Sequence, residues 1–138
     1  YINSLGESQN FKGTVDRIDL VDGVLRFVDY KTGSLNSSDM TLSKWEDLTT
    51  NAKKNALFQV LIYAYFLKND FNYEKVIAGV IPLRTFKNYF IPASKKINSR
   101  EKNILEIKPS ILNQFEDVLC NLILEIFDPS VPIVEKII

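Results

Sequence analysis

One dipeptide constrains the fold of this chain more than any other feature. Asp22-Gly23 stands between two runs, residues 14–21 and 24–31, that are rich in β-branched residues and alternate between apolar and polar side chains. Asp-Gly between such runs is the strongest short-range signal for a β-hairpin with a two-residue turn. The sequence therefore predicts an antiparallel hairpin over residues 14–31.

The two-residue turn also fixes which side chains face each other across the hairpin. Because Val21 pairs with Val24, Asp16 falls opposite Asp29, and Lys31 shares their face since side chains alternate along a strand. Like charges directly opposed in a sheet are destabilising, whereas a divalent cation between two carboxylates would turn the repulsion into coordination. The hairpin thus predicts a metal-binding cluster, with solvated surface side chains as the alternative interpretation.

The same register places Asp19 opposite Arg26 on the other face of the hairpin. Opposite charges in directly opposed positions stabilise a sheet. We therefore expect Asp19 and Arg26 to form an ordinary cross-strand ion pair.

The rest of the chain alternates between helical and strand patterns. Residues 52–68 lack Gly and Pro and are apolar on nearly every face, which predicts a helix buried on more than one side. The loop before it, residues 32–51, has room for a turn of helix at 43–48. Residues 75–81 predict a β-branched strand, with a turn at 84–88 and a partner strand at 89–91.

The last predicted helix begins at Pro109, a residue favoured in the first helical turn, and ends at Asp128-Pro129. Its apolar residues form one stripe at helical spacing: Ile111, Phe115, Val118, Leu119, Leu122 and Ile126. The resulting ββ-α-ββ-α order predicts a mixed α/β (α+β) fold, in which helices flank a central mixed sheet.

Charge and composition exclude several classes of protein. The 138 residues suit a single domain, and 17 basic residues balance 17 acidic ones, so whole-chain charge indicates no polyanionic partner. Residues 84–108 nevertheless hold seven basic and two acidic residues. That strip could face a phosphate backbone, although solvated surface lysines are the simpler interpretation.

The chain has no histidine and a single cysteine, Cys120, which is predicted to be a small core residue. Histidine-based catalysis and intrachain disulfides are therefore excluded, and a reducing, cytoplasmic location is expected. No apolar run approaches the roughly 20 residues of a membrane span, so no membrane partner is expected.

Three segments resemble known nuclease motifs. GTVDRID at residues 13–19 and DYKTG at residues 29–33 resemble the second and third motifs of RecB/AddB-type nucleases of the PD-(D/E)XK superfamily. Residues 59–63, from Gln59 to Tyr63, resemble that group's Q-x-x-x-Y motif. The resemblance implies a restriction-endonuclease-like core.

The resemblance also implies a role for each motif residue. Asp16, Asp29 and the backbone carbonyl of Tyr30 would bind magnesium or manganese, and Lys31 would be the catalytic lysine. The site-supporting or DNA-binding residues would be Gln59, Tyr63 and Thr32. The alternative for Gln59 and Tyr63 is a buried polar pair that satisfies a loop backbone.

The function implied is metal-dependent hydrolysis of DNA phosphodiesters, by the exonuclease module of a DNA-repair helicase–nuclease. The DNA would be single-stranded and delivered by a helicase motor in the same or a partner chain. One alternative is an inactive nuclease fold that binds DNA or braces a helicase subunit. A weaker one is a restriction-type endonuclease, for which no base-reading element is visible.

Two departures from the family pattern shape the expectation for this chain. Family members usually add a metal contact from an upstream helix, but here only residues 1–10 precede the hairpin and Glu7 is the sole acidic candidate. We therefore expect residues 1–138 to be one N-terminally truncated nuclease domain of a larger protein, weak or inactive alone. Because Cys120 is the only cysteine, no iron–sulfur cluster can form within the chain.

Overall fold

The computed structural model describes residues 9–67, 69–84 and 89–134. Four strands form one sheet in the order β1-β2-β4-β5, and three short strands form a second sheet in the order β3-β6-β7. The strands are β1 Arg17–Val21, β2 Val24–Lys31, β3 Thr41–Leu42, β4 Lys75–Pro82, β5 Ile91–Pro92, β6 Ser94–Lys96 and β7 Lys102–Ile104. The α-helices are α1 Asp47–Thr50, α2 Asn55–Leu67 and α3 Pro109–Phe127. The predicted mixed fold with helices on a mixed sheet is confirmed.

The predicted hairpin forms with the predicted register. Val21 pairs with Val24 and Asp19 with Arg26 in the antiparallel β1–β2 ladder. Asp22 and Gly23 have φ angles of 50° and 78°, as a two-residue hairpin turn of the I′ type requires. The Asp-Gly turn therefore sets the geometry of the hairpin.

The first strand is shorter than predicted, because it begins at Arg17 and leaves Asp16 at a bend just before the ladder. The Asp16 carboxylate accepts a hydrogen bond from the backbone N–H of Tyr30 at 2.9 Å. Short polar side chains compete in this way with the backbone bonds of a sheet. Asp16 therefore meets β2 through its side chain rather than as a ladder partner of Asp29.

Strand β2 lies in the interior of the four-stranded sheet. It pairs with β1 on one side and, over its whole length from Val24↔Lys75 to Lys31↔Pro82, runs parallel to β4 on the other. Strands of parallel pairs are usually covered on both faces, and the run from Phe27 to Asp29 is at most 2% exposed. Strand β2 therefore places Asp29 in the protein interior.

Helix α2 connects β2 to β4 and packs between the sheet and α3. Leu57, Val60, Leu61 and Ala64 are fully buried, as expected for a helix apolar all round. A 3₁₀ turn, Ala52–Lys54, precedes the α-helix, so the regular helix starts later than predicted. Residue 68, the predicted last residue, lies outside the described residues.

Helix α3 begins at Pro109 as predicted, but its buried side is rotated from the predicted stripe. The buried residues are Leu112, Phe115, Leu119 and Ile123, whereas Ile126 is 52% exposed. Only one side of α3 packs against the rest of the domain. Apolar residues beside that side, such as Ile111 and Val118, are therefore only partly buried.

The second sheet was not predicted. Strand β3 pairs in parallel with β6, and β6 pairs antiparallel with β7. The partner expected for β4 at 89–91 exists as β5, Ile91–Pro92, and pairs antiparallel, while residues 85–88 of the predicted turn lie outside the described residues. The helical turn expected at 43–48 is α1, Asp47–Thr50.

A buried lysine ties the loop between β2 and β3 to the start of α2. Lys54 is 9% exposed, and its ammonium donates hydrogen bonds of 2.7 Å to the backbone carbonyls of Ser38 and Thr41. Thr41 also closes the turn, through its N–H to the Ser38 carbonyl at 3.1 Å. Lys54 therefore fixes the turn that joins the two sheets.

Gly79, in the middle of β4, lies where the chain at β5 comes closest to it. A Cβ at this position would overlap the backbone carbonyl oxygen of Ile91 and the ring of Phe90. We expect Gly79→Ala to lower the free energy of unfolding by about 2–3 kcal/mol, because backbone cannot yield as a flexible side chain does. Gly33→Ala is the matched control, since a Cβ added there would meet no atom within 4 Å; equal urea midpoints for the two variants would contradict the packing.

Candidate active site

The centre of the candidate site is Asp29, a buried carboxylate near the end of β2. Its Oδ1 accepts hydrogen bonds from Gln59 Nε2 at 2.9 Å and from the Tyr63 hydroxyl at 3.2 Å. Its Oδ2 is buried and has no hydrogen-bond partner, although Lys31 Nζ makes an ion-pair contact with it at 2.7 Å. Since buried polar atoms are nearly always hydrogen-bonded, this oxygen can take a further partner beside Lys31 or in its place.

Lys31 follows Asp29 by two residues and lies on the same face of β2, as predicted. Its ammonium contacts Asp29 Oδ2 and donates a hydrogen bond to Gln59 Oε1 at 2.5 Å. The Lys31 side chain is 29% exposed, against 3% for that of Asp29. The ammonium therefore lies between the buried carboxylate and solvent.

Gln59 and Tyr63 lie one turn apart on α2, on the face that covers β2. The Gln59 amide has its oxygen against the Lys31 ammonium, and its nitrogen donates to both Asp29 and Tyr63. Reversing the amide would place donors against the ammonium and the amide oxygen against the carboxylate, so the charges on either side fix its orientation. Gln59 thus joins all three neighbours in one network.

The Tyr63 hydroxyl acts as a donor in this network. Burial raises the pKa of Tyr63 above its ordinary value of 10.0, and the negative charges of Asp29 and Asp16 raise it further, while the hydrogen bond from Gln59 lowers it. The hydroxyl therefore keeps its proton at neutral pH and can donate to Asp29. In the described part of the chain, Gln59 and Tyr63 form hydrogen bonds with side chains and none with a loop backbone.

Asp16 approaches the cluster from the exposed side of the hairpin. It accepts from the Tyr30 N–H, and N–H and C=O of one residue in a strand point to the same side. The Tyr30 carbonyl is therefore on the Asp16 side of β2, while the Lys31 carbonyl accepts from Leu83 N–H at 2.8 Å on the β4 side.

Thr32 is the predicted site residue that the structure does not bring into contact. It lies exposed directly after β2. In the described part of the chain, no side-chain hydrogen bond links it to the cluster. Glu7, the candidate upstream ligand, lies outside the described residues.

The opposite face of the hairpin carries a purely structural ion pair. Arg26 donates to Asp19 at 2.6 and 2.8 Å, and Arg17 Nε lies 2.8 Å from the same carboxylate. The hydrogen bonds from Arg26 are the main reason that the pKa of Asp19 lies below its ordinary value. The Asp19–Arg26 pair is thus confirmed, and both Asp19 oxygens accept hydrogen bonds, whereas Asp29 Oδ2 accepts none.

The donor set around Asp29 fits a hard cation. Carboxylates and a carbonyl are the ligands that Mg²⁺ prefers, and Mg²⁺ is commonly held by one or two carboxylates with water completing its shell. Asp29 Oδ2 supplies a buried oxygen that has an ion-pair contact with Lys31 but no hydrogen bond. Within residues 9–67, 69–84 and 89–134, no group of three or more Asp, Glu, His or Cys side chains could share a metal.

Beside Lys31 and Gln59 lies a cleft of about 450 Å³. Its wall is formed by the segment from Ser34 to Asn36, by Asp39 and by the start of α2, including Lys53. No sequence pattern indicated this cleft, because its walls come from segments that meet only in the folded chain. It provides space for substrate next to the carboxylate–lysine pair.

Two carboxylates, a carbonyl and a lysine beside a cleft suit metal-assisted hydrolysis. The chain belongs to the PD-(D/E)XK nuclease superfamily, whose family model matches residues 4–136. Nucleases of this superfamily generally use divalent metal ions, and membership implies a DNA substrate.

Searches of curated proteins and of solved structures find no significant match to the chain. Among the helices of the described segments, none has the length and apolar content needed to cross a bilayer.

The network around Asp29 predicts a large effect of replacing Gln59. In Gln59→Leu, Asp29 Oδ1 loses one donor and the Lys31 ammonium loses an acceptor, so we expect the metal-free protein to lose about 1–3 kcal/mol of unfolding free energy. Gln114→Leu is the matched control, because it removes one exposed hydrogen bond, from Trp45 Nε1. Urea unfolding in EDTA measures both, and an equal loss would contradict a buried network.

Proposed function

We propose that the chain is the catalytic domain of a metal-dependent deoxyribonuclease with Asp16, Asp29 and Lys31 at its active site. The observation that carries this proposal is the buried Asp29 carboxylate, one oxygen of which has no hydrogen bond and only an ion-pair contact with the Lys31 ammonium. A fold gains little from a buried charge that is incompletely hydrogen-bonded. Such a pair is useful where a cation and a phosphate must be bound.

Magnesium or manganese would be held by Asp16, Asp29 and the Tyr30 carbonyl. Both ions prefer oxygen ligands, and the Asp16 carboxylate contacts β2 at Tyr30, the residue next to Asp29. A bound ion would supply Lewis acidity at the scissile phosphate. Gln59 and Tyr63 act as positioning residues, because they hold Asp29 through Oδ1 and leave Oδ2 for the ion.

Hydrolysis forms a bond from the water oxygen to phosphorus and breaks the bond from phosphorus to a sugar oxygen, which takes up a proton and leaves as an alcohol. Negative charge builds on the phosphate oxygens as the water oxygen approaches. The Lys31 ammonium, which faces solvent beside Asp29, is placed to stabilise that charge through a charge-assisted hydrogen bond. The adjoining cleft, with Lys53 in its wall, would receive the neighbouring phosphates.

Within this activity we propose an exonuclease of the RecB/AddB type, linked to a helicase that delivers single-stranded DNA in DNA repair. The support is the Q-x-x-x-Y pair, since both Gln59 and Tyr63 contact Asp29. We extend the same proposal to Thr32 as a DNA contact, because it lies exposed next to Lys31.

The second candidate function is that of an inactive module that binds DNA or braces a helicase subunit. The Asp29–Lys31 contact favours the enzyme over this module.

The metal ligands can be tested separately from the fold. We expect Asp16→Asn and Asp29→Asn to lower cleavage of single-stranded DNA by the full-length protein at least about a hundredfold. Both should also weaken Mn²⁺ binding more than about tenfold, read by calorimetry. Asp16→Asn should leave the protein folded and as stable or more stable without metal, because the amide oxygen can still accept from Tyr30 while a negative charge is removed.

Asp19→Asn is the matched control on the same strand. It should keep cleavage and lose stability, since it breaks the bonds to Arg26 and Arg17. The lowered pKa of Asp19 makes this loss pH-dependent: it is full above the ordinary pKa of 3.8 and shrinks as pH falls through the folded-state value. Normal DNA cleavage by Asp16→Asn or Asp29→Asn would overturn the proposed site.

Lys31 is expected to separate catalysis from metal binding. Lys31→Met should abolish cleavage but leave Mn²⁺ affinity unchanged or tighter, because the ammonium no longer competes for Asp29 Oδ2. A parallel loss of Mn²⁺ binding would instead make Lys31 a structural support of the carboxylate. Retained cleavage would exclude it from the chemistry.

A further inference from the structure

We propose that a second groove, outside the active site, binds the phosphate backbone of the DNA strand that the site cuts; this inference rests on the proposed nuclease function. The groove, called here the basic groove, has a volume of about 290 Å³ and lies between the turn at residues 37–43 and the β6–β7 hairpin. Its side chains include Lys96, Arg100, Lys102, Ser37, Ser38 and Ser43.

The β6–β7 hairpin places two lysines directly opposite each other. Lys96 and Lys102 are direct partners in the antiparallel ladder, and both line the basic groove. Like charges directly opposed in a sheet destabilise it, so the fold gains nothing from this pair. An anion held between the two ammonium groups would replace the repulsion with attraction.

Glu101 is the one carboxylate among the described residues that line the basic groove, and it is held within the hairpin. Glu101 accepts a hydrogen bond from the Asn98 side-chain nitrogen at 2.9 Å, and Asn98 Oδ1 accepts from the backbone N–H groups of Arg100 and Glu101. This local turn fixes the tip of the hairpin. Among the ion pairs of the described residues, none involves Lys96, Arg100 or Lys102, so these cations are available to an external anion.

The basic groove adjoins the active-site cleft across a single turn. Asn36 and Asp39 line the cleft beside Lys31, whereas Ser37, Ser38 and Thr41 line the groove. The turn itself is held from below by Lys54. A strand with its scissile phosphate near Lys31 can therefore pass over this turn and place further phosphates in the groove.

The chemistry of the groove selects the backbone rather than the bases. Hydroxyl groups and cations are the usual partners of phosphate oxygens, and the lining residues in the described part of the chain include no aromatic ring on which a base could stack. Binding there should be independent of sequence and sensitive to salt.

The test uses opposite effects of one substitution on stability and on binding. Lys96→Glu replaces the repulsion of Lys102 with attraction, so it should raise the urea midpoint of the DNA-free protein. It should also weaken binding of a fluorescent 20-nucleotide single strand, measured by anisotropy in EDTA, at least about fivefold at about 0.1 M salt. Lys75→Glu, an exposed lysine at the start of β4, is the control and should change affinity little.

A triple variant measures the number of phosphate contacts. Replacing Lys96, Arg100 and Lys102 with alanine should lower the slope of log affinity against log salt concentration by about 2, from about 0.7 per contact on single strands. In the full-length protein the same variant should raise KM for the 20-nucleotide strand and leave kcat unchanged. Cleavage of a dinucleotide, too short to reach the groove, should not change.

These measurements test the basic groove and the nuclease activity separately. The basic groove is overturned if Lys96→Glu binds the 20-nucleotide strand like the unaltered protein, or if Lys75→Glu loses as much affinity as Lys96→Glu. Neither result bears on metal-dependent cleavage, which the active-site variants test. If the unaltered full-length protein does not cut DNA with magnesium or manganese but loses affinity through Lys96→Glu, the groove is supported and the nuclease proposal fails. No binding of the strand by the unaltered protein overturns the groove directly.

Discussion

The parallel pairing of β2 with β4 is the contact on which the rest of this structure depends. Eight residues of β2 pair with β4, and β1 covers the other edge, so β2 lies in the interior of the sheet. A parallel pair needs a crossover, here α2, which covers one face of the sheet. Asp29 points to that face. The topology therefore brings the carboxylate and the polar residues of α2 together.

Burial then dictates what surrounds the carboxylate. A charge removed from water needs hydrogen bonds and an opposite charge, and Asp29 obtains them from Gln59, Tyr63 and Lys31. Of its two oxygens, Oδ1 accepts both hydrogen bonds and Oδ2 has only the ion-pair contact with Lys31. The side chains are thus ordered before any ion binds, which is the condition for placing a cation accurately.

The sequence predicted those parts of the fold that local geometry specifies. The Asp-Gly turn sets the hairpin register, and with it the shared face of Asp29 and Lys31. Asp16 lies outside the predicted strand because its side chain, and not the backbone of a partner strand, accepts the hydrogen bond from the Tyr30 N–H. An alternating pattern of apolar and polar residues does not show which of these two bonds will form. The contacts of Asp29 with Gln59 and Tyr63 required tertiary structure, and only the motif resemblance indicated them.

The second sheet escaped prediction for a different physical reason. Its strands have only two or three residues, so pairing across the fold, and not local propensity, stabilises them. Residues 97–101 link β6 to β7 without a two-residue turn, and no Asn-Gly or Asp-Gly signal fixes the register. That Lys96 faces Lys102 could therefore be known only from the folded chain.

The burial of Lys54 has an electrostatic consequence that reaches beyond its two hydrogen bonds. Its ammonium lies under the turn that separates the cleft from the basic groove, and none of the ion pairs in the described segments includes it. Counterions reach exposed lysines freely, whereas they screen a charge enclosed by protein much less. Salt therefore weakens the attraction between the Lys54 ammonium and an anion crossing from one cavity to the other less than it weakens the attraction of the surface lysines, while the Asp39 carboxylate of the same turn opposes it.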